Sequence, residues 1–212
     1  MKVIGITGGA GSGKSALLRY IKENYPCRIL MADDAGHEVS RRGGRAYPAL
    51  VDLFMSSDTG HPILSEDGEI DRQEMAARIY ADPALRGQVN AIVHPAVKEY
   101  ILAQIERERA REARKDAQAV RYFLIEAALL IECGYGAVVD EMWYIYCDPE
   151  IRKERLERTR GYSRERVRGI MAAQLTDDAF RAGSDVVIDN SGDIADAWRR
   201  IDEEFARMDV EA

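Results

Sequence analysis

An eight-residue stretch near the start of the chain has the spacing of a phosphate-binding loop. Residues 8–15 read Gly-Gly-Ala-Gly-Ser-Gly-Lys-Ser and fit the pattern G-x-x-x-x-G-K-[ST]. Glycines let the backbone turn tightly, so that several N–H groups point at phosphate oxygens. Lys14 is then expected to reach the β- and γ-phosphates, and the Ser15 hydroxyl to bind Mg²⁺. The stretch therefore predicts a nucleoside triphosphate site, and we call it the phosphate loop.

The segments on either side of the phosphate loop test this interpretation against a glycine-rich turn that matches by chance. Lys2–Thr7 has the apolar run of a buried strand, and apolar residues at helical spacing follow from Ala16 to Ile21. A strand, the loop and a helix N-terminus form the context that the motif requires. The partial positive charge of that helix end also favours phosphate.

Acidic residues follow two further predicted strands, Cys27–Ala32 and Val120–Glu126. The carboxyl ends of parallel strands line the ligand crevice of open α/β sheets. Asp33 is therefore a candidate for accepting a proton from a substrate hydroxyl, whereas Asp34 fits better as the N-cap of the following helix. Glu126 fits the Walker B pattern, an acid after a buried strand that holds Mg²⁺ directly or through water.

A dense run of cations follows a fourth predicted strand, Glu141–Cys147. Asp148 and Pro149 predict a helix start, with the aspartate as the cap and proline at the first position. The cations suit the grip of a mobile lid on triphosphate. The alternative is a surface helix whose arginines pair with its glutamates at i,i+4, and both can hold for different arginines. The eight cations are Arg152, Lys153, Arg155, Arg158, Arg160, Arg164, Arg166 and Arg168.

The composition limits the class of protein. The chain has 212 residues, of which 46% are hydrophobic and 32% charged, as is ordinary for a soluble globular protein. A net charge of -7 argues against a nucleic-acid surface, and no apolar run approaches a membrane span. The chain opens directly into a core strand, so we expect no signal peptide. Three widely spaced cysteines are expected to be small buried hydrophobes in a reducing cytoplasm.

Five predicted strands that alternate with helices give an α/β fold with a doubly wound parallel sheet. A helical insertion follows the second strand, and a short cationic lid follows the fourth. Within the insertion, Pro95 predicts a kink or a new start in the helical stretch Pro83–Ile105. His94 lies beside that break, where it could face a cleft, although a lone histidine is more often structural.

In this order, the motifs resemble those of the dephospho-CoA kinase family over essentially the whole chain. The resemblance rests on residues 5–15, Ala32-Asp33 with His37, residues 68–72, Asn90–Pro95, Leu129–Glu132, residues 172–174 and residues 184–190. It implies ATP-dependent phosphorylation of the ribose 3′-hydroxyl of dephospho-CoA, with Mg²⁺, in the last step of coenzyme A biosynthesis. It also implies a core of residues 1–34, 119–149 and 181–212, an acceptor-binding insertion of residues 35–118, and a lid of residues 150–180.

The resemblance assigns roles to individual residues. Asp33 is expected to be the general base, and Lys14 and Arg155 to act at the transferring phosphate. The residues expected to bind ATP are Gly9, Ala10, Gly11, Ser12, Gly13, Lys14, Ser15, Ala16 and Asn190. The residues expected to bind the acceptor are Asp33, His37, Arg72, His94 and Glu132. Ser15 and Glu126 are expected to hold the metal.

The chain departs from the family pattern at four positions. Met31 replaces an aspartate, Ala128 a proline, and Thr159 and Gly169 replace arginines of the lid. Two other functions therefore stay open, a different small-molecule kinase of the nucleoside or nucleoside-monophosphate type, and a nucleotide-binding protein without turnover. A GTPase switch is disfavoured, because the chain has no Asn-Lys-x-Asp stretch. The sequence leaves the oligomeric state open.

Overall fold

The computed structural model describes residues 1–56 and 62–210. Five strands form one sheet in the order β2-β3-β1-β4-β5, and β1 pairs in parallel with both β3 and β4. The predicted five-stranded α/β fold is thereby confirmed. Because β1 is the central strand, the loop that follows it lies at the middle of the sheet's edge. The strands are β1 (Lys2–Thr7), β2 (Cys27–Met31), β3 (Tyr122–Glu126), β4 (Glu141–Tyr146) and β5 (Val186–Asp189).

Helices connect these strands and make up most of the rest of the described chain. None of the helices in the described ranges combines the length and apolar character that a membrane span requires. The helices are α1 (Lys14–Asn24), α2 (Ala32–Ser40), α3 (Tyr47–Met55), α4 (Arg72–Ala81), α5 (Pro83–Ala113), α6 (Pro149–Arg160), α7 (Arg164–Ala172), α8 (Asp177–Ala182) and α9 (Ile194–Val210).

The core that supports the site is aromatic where α9 packs on the sheet. Phe205 of α9 is 1% exposed, and its ring centroid lies 4.0 Å from that of Tyr25, 4.5 Å from that of Tyr122 and 5.2 Å from that of Trp143. Strands that are covered on both faces read as continuous apolar runs, which is why β1, β3 and β4 could be recognised in the sequence. These buried strands give the phosphate loop a rigid base.

The chain divides into two compact units. The first comprises Met1–Ile29 and Glu108–Ala212, and the second comprises Leu30–Arg107. The phosphate loop and Glu126 belong to the first unit. So do residues 152–168, which carry the eight cations and which we call the cationic segment. The three-part division into core, insertion and lid stays a prediction.

Two local predictions are wrong. Helix α2 begins at Ala32 directly after β2, with Met31 at the N-cap position, so Asp34 is not the cap. Asp33 and Asp34 both fall in the first turn of α2, where negative charge suits the helix dipole. The expectation that Pro95 starts a new helix is also wrong, because α5 continues through it, whereas the alternative of a kink stays a prediction. A proline removes one N–H donor, and a helix of 31 residues keeps its other backbone bonds.

The predicted start of α6 is confirmed. Asp148 Oδ1 accepts hydrogen bonds from the backbone N–H groups of Glu150 (2.8 Å) and Ile151 (3.4 Å), and Pro149 occupies the first helical turn. This cap fixes where the arginines of α6 begin.

Removing the cap should destabilise the chain. We expect Asp148→Ala to lower the free energy of unfolding by about 1 kcal/mol, since two N–H groups lose their acceptor. Glu150→Gln is the matched control, because Glu150 forms only an exposed pair with Lys153 and should change stability by less than about 0.5 kcal/mol. Urea denaturation measures both values, and equal losses for the two variants would contradict the capping role.

Candidate active site

The phosphate loop joins β1 to α1 through glycines with unusual backbone angles. Gly11 and Gly13 have φ values of +82° and +90°, which favour glycine, and Gly13 is the N-cap of α1. Lys14 is the first residue of α1, and Ser15 and Ala16 follow in its first turn. The strand, loop and helix expected from the sequence are therefore all present.

The side chain of Lys14 reaches back to the first two residues of the phosphate loop. Its Nζ donates to Gly8 O at 2.7 Å, lies 3.4 Å from Gly9 O, and is 3.7 Å from Glu126 Oε1 at the end of β3. Burial lowers the pKa of the Lys14 amine, and the charge of Glu126 opposes this shift. The predicted phosphate-binding lysine and the predicted metal-binding carboxylate are thus neighbours, because β3 pairs with β1.

Asn190 supports the phosphate loop next to the N-terminus of α1. It directly follows β5, is 3% exposed, and donates from Nδ2 to Ser12 O at 2.7 Å. A Cβ atom on residue 13 would lie 2.2 Å from that nitrogen, so Gly13 is required by space as well as by its φ angle. The expected contact of Asn190 with ATP stays a prediction.

Arg155 extends from α6 to the end of β4. Its Nη1 donates to Cys147 Sγ at 3.3 Å, and a Cβ atom on Gly13 would lie 3.6 Å from the same nitrogen. Burial raises the pKa of the Cys147 thiol, and the charge of Arg155 opposes this shift. Burial was expected for all three cysteines and holds for Cys147, whereas Cys27 and Cys133 are only partly buried. The contact of Cys147 with Arg155 was not visible in the sequence.

Two contacts with the loop were not predicted from the sequence. Arg152 Nε donates to Ala10 O at 3.0 Å, and Gln174 Oε1 accepts from Ala10 N at 3.2 Å. Arg152 was one of eight cations, with no local feature that set it apart from the others. The contact depends on how α6 packs against the loop, which is a tertiary property.

Other cations of the segment pair with glutamates, as the alternative interpretation expected. Lys153 pairs with Glu150 at 2.5 Å, and Arg158 pairs with Glu154 at 3.7 Å. These side chains are exposed, so such pairs contribute little to stability. The cationic segment is therefore mixed, with a buried face toward the phosphate loop and a solvated face.

Most predicted acceptor residues belong to the second unit. Asp33 and His37 lie one turn apart on α2 and are both exposed. Arg72 is the exposed first residue of α4, whose N-cap Asp71 accepts from two backbone N–H groups. His94 is exposed on α5. Glu132 belongs to the first unit and lies in the exposed turn after β3.

Comparison with known proteins decides the family. A family model described as dephospho-CoA kinase matches residues 2–196. The chain belongs to the dephospho-CoA kinase family. This membership confirms the family expected from the motifs and the ATP-dependent kinase activity expected with it.

Individual relatives agree with this membership. A dephospho-CoA kinase of Geobacter sulfurreducens is 37% identical over 98% of both chains, and one of Streptococcus mutans is 30% identical over 99% of both. A crystal structure from Thermus thermophilus is similar with a TM-score of 0.73, at 25% identity and 97% coverage of both chains. A dephospho-CoA kinase from Campylobacter jejuni shares the fold, with a TM-score of 0.69 at 19% identity, over 97% of this chain and 96% of that one.

The metal-binding groups of this dephospho-CoA kinase family member are few. In residues 1–56 and 62–210, no cluster of three or more His, Cys, Asp or Glu side chains is placed to hold a metal. The Ser15 hydroxyl and the Glu126 carboxylate are oxygen donors in the first unit. Mg²⁺ keeps several waters and usually binds through one or two protein oxygens together with substrate phosphates, so this donor set fits it.

Exchanging the Asn190 amide tests the support of the loop. In Asn190→Asp, a carboxylate oxygen would face Ser12 O, and we expect the free energy of unfolding at pH 8 to fall by about 2 kcal/mol. The loss should shrink toward pH 5, because burial raises the pKa of a carboxyl group and the protonated form can donate to Ser12 O.

The neighbouring exchange Asp189→Asn is the matched control. Asp189 is exposed, and the amide oxygen of the variant can still accept from Ser191 N. Urea denaturation at both pH values gives the comparison. A loss for Asn190→Asp that does not depend on pH would contradict the assigned hydrogen bond.

Proposed function

We propose that this chain transfers the γ-phosphoryl group of ATP to the ribose 3′-hydroxyl of dephospho-CoA, giving CoA and ADP in the cytoplasm. The proposal rests on the phosphate loop at the N-terminus of α1 in a member of this family. Lys14 Nζ lies 3.7 Å from Glu126 Oε1 beside that loop. We propose no nucleic-acid or membrane partner.

The donor end of the reaction is assigned to the first unit. Backbone N–H groups of residues 9–16 bind phosphate oxygens, and Lys14 and Arg155 neutralise charge at the transferring group. Such a reaction needs little covalent chemistry from the protein, so most of its acceleration comes from positioning and electrostatics. Ser15 and Glu126 hold Mg²⁺, which supplies further neutralisation of phosphate charge when bound.

The acceptor end is assigned to Asp33 together with His37, Arg72, His94 and Glu132. The Asp33 carboxylate takes the proton of the 3′-hydroxyl as the ribose oxygen bonds to the γ-phosphorus and ADP leaves. A general base of this kind contributes about 10²–10⁴-fold to the rate. His37 lies one turn along the same helix, and Arg72 begins α4, where its planar fork of donors suits a phosphate of the acceptor. His94 and Glu132 complete the proposed acceptor contacts.

Each part of the proposed reaction is assigned to its own segments of the chain. Residues 1–34, 119–149 and 181–212 form the nucleotide-binding core, and residues 35–118 hold the acceptor. Residues 150–180 form a lid that carries Arg155. The mixed character of the cationic segment, with paired glutamates on one face and Arg155 on the other, supports the last assignment.

An acceptor panel tests the function. ATP consumption is measured with dephospho-CoA, adenosine, AMP and pantothenate, and we expect turnover with dephospho-CoA alone. Lys14→Ala should reduce kcat at least about tenfold, since it removes charge at the phosphates while the fold is retained. Circular dichroism controls for folding. Turnover with another acceptor would support a different small-molecule kinase, and ATP binding without turnover would support a nucleotide-binding protein.

Replacing the proposed base separates chemistry from binding. Asp33→Asn keeps the shape of the side chain and loses the proton acceptor, so kcat should fall about 10²-fold or more while the Kd for ATP changes little. Asp34→Asn is the matched control, because Asp34 is the exposed neighbour in the same helical turn and has no assigned role. If Asp33→Asn instead abolishes ATP binding, Asp33 is a metal ligand and the base lies elsewhere.

A further inference from the structure

Arg152 is an unusual residue for a highly charged helix. It is 8% exposed, whereas the neighbouring cations Lys153 and Arg158 of α6 have side chains 38% and 74% exposed. Arginine is rarely buried this far without a partner of opposite charge. Its burial therefore requires an explanation from its contacts.

The side-chain hydrogen bonds of Arg152 join it to the crest of the phosphate loop, by which we mean residues 9–11. Nε donates to Ala10 O at 3.0 Å, and Nη2 donates to Gln174 Oε1 at 2.6 Å. The same Gln174 oxygen accepts from Ala10 N at 3.2 Å. Both backbone polar groups of Ala10 are thus held by one arginine and glutamine pair.

The guanidinium also fills space that a side chain of the loop would need. A Cβ atom on Gly9 would lie 2.0 Å from Arg152 Nη2, and one on Gly11 would lie 2.9 Å from Arg152 O. The crest of the loop therefore lies directly on α6, and glycine at residue 9 is matched to the arginine.

The partners of Arg152 are neutral. Its hydrogen bonds go to a carbonyl and an amide oxygen, and within residues 1–56 and 62–210 no carboxylate forms an ion pair with it. The nearby cations add to the imbalance, since burial chiefly, and also the charge of Arg152, lower the pKa of Lys14. A buried charge without a counter-charge is costly, so an anion that binds here is favoured by its neutralisation.

We propose that Arg152 is a positioning residue of the donor site, which holds the crest of the phosphate loop in place and whose buried charge is neutralised by the bound triphosphate. The inference rests on the proposed use of ATP and adds to it a residue outside the loop motif. It assigns Arg152 a different part from Arg155, whose guanidinium reaches the end of β4.

The proposal predicts opposite effects on the free and the bound protein. Arg152→Gln keeps an amide donor for Ala10 O and removes the charge. We expect the Tm of the free protein to be unchanged or raised, and the Kd for ATP to rise at least about tenfold. The Kd for AMP should stay within about twofold, because the phosphate loop chiefly binds the phosphates that AMP lacks. A residue that only supports the fold would lower the Tm of the free protein.

Two further variants sharpen the test. Arg152→Lys keeps the charge and loses the fork of donors, so its Kd for ATP should lie between that of the original protein and that of Arg152→Gln. Arg199→Gln removes an equal charge from the exposed side of α9, where Arg199 pairs with Asp196, and should leave every value unchanged. Isothermal titration calorimetry gives the Kd values, and thermal denaturation with and without ATP gives the Tm shifts.

Each outcome decides one of the two claims. An original protein that does not bind ATP would overturn the proposed function itself. If the original protein binds ATP, the inference alone is overturned by an Arg152→Gln variant that binds ATP equally well. It is also overturned if the Lys variant is as weak as the Gln variant, or if the Gln variant loses stability while its ATP-induced Tm shift is retained.

Discussion

The site depends on close approach between the phosphate loop and the side chains that support it. All four loop glycines lie where a Cβ atom would collide with a neighbour, namely the Ile145 backbone at Gly8, Arg152 at Gly9, the Arg152 backbone at Gly11, and Asn190 at Gly13. The loop is therefore held from outside, by α6 and by the residue after β5. A phosphate site needs N–H groups fixed before the ligand arrives, and a glycine-rich segment is too flexible to provide this alone. The packing around the loop supplies the rigidity.

This constraint explains which parts of the site could be predicted from the sequence. The strand, loop and helix are contiguous, so local pattern and spacing were sufficient for them, as they were for Asp148 and Pro149 at the start of α6. Arg152 and Gln174 act on a residue more than 140 positions away. Residues 172–174 were among the motifs of the family resemblance, but nothing in the local sequence shows that either side chain contacts the loop. The same limit applies to Pro95, because the continuity of α5 depends on the packing of the whole helix rather than on one residue.

Local charge explains how an acidic chain provides an anion site. The net charge is -7, yet Lys14, Arg152 and Arg155 all lie beside the phosphate loop, with Glu126 as the carboxylate near Lys14. Glutamates elsewhere on α6 pair with exposed cations and do not reach the loop. Burial raises the strength of electrostatic interactions, so a few cations on the inner face outweigh many acids on the surface.

One of the four departures from the family pattern, Thr159, lies on α6. Arg152, Arg155 and Thr159 are spaced i, i+3 and i+7, which puts them on one face of the helix. Thr159 is exposed and its hydroxyl donates to Arg155 O at 2.5 Å, so the replaced arginine belonged to the outer end of this face. The inner end keeps two arginines next to the loop. The loss of a cation at residue 159 therefore leaves the buried part of the proposed phosphate grip intact and changes only its solvent-exposed end.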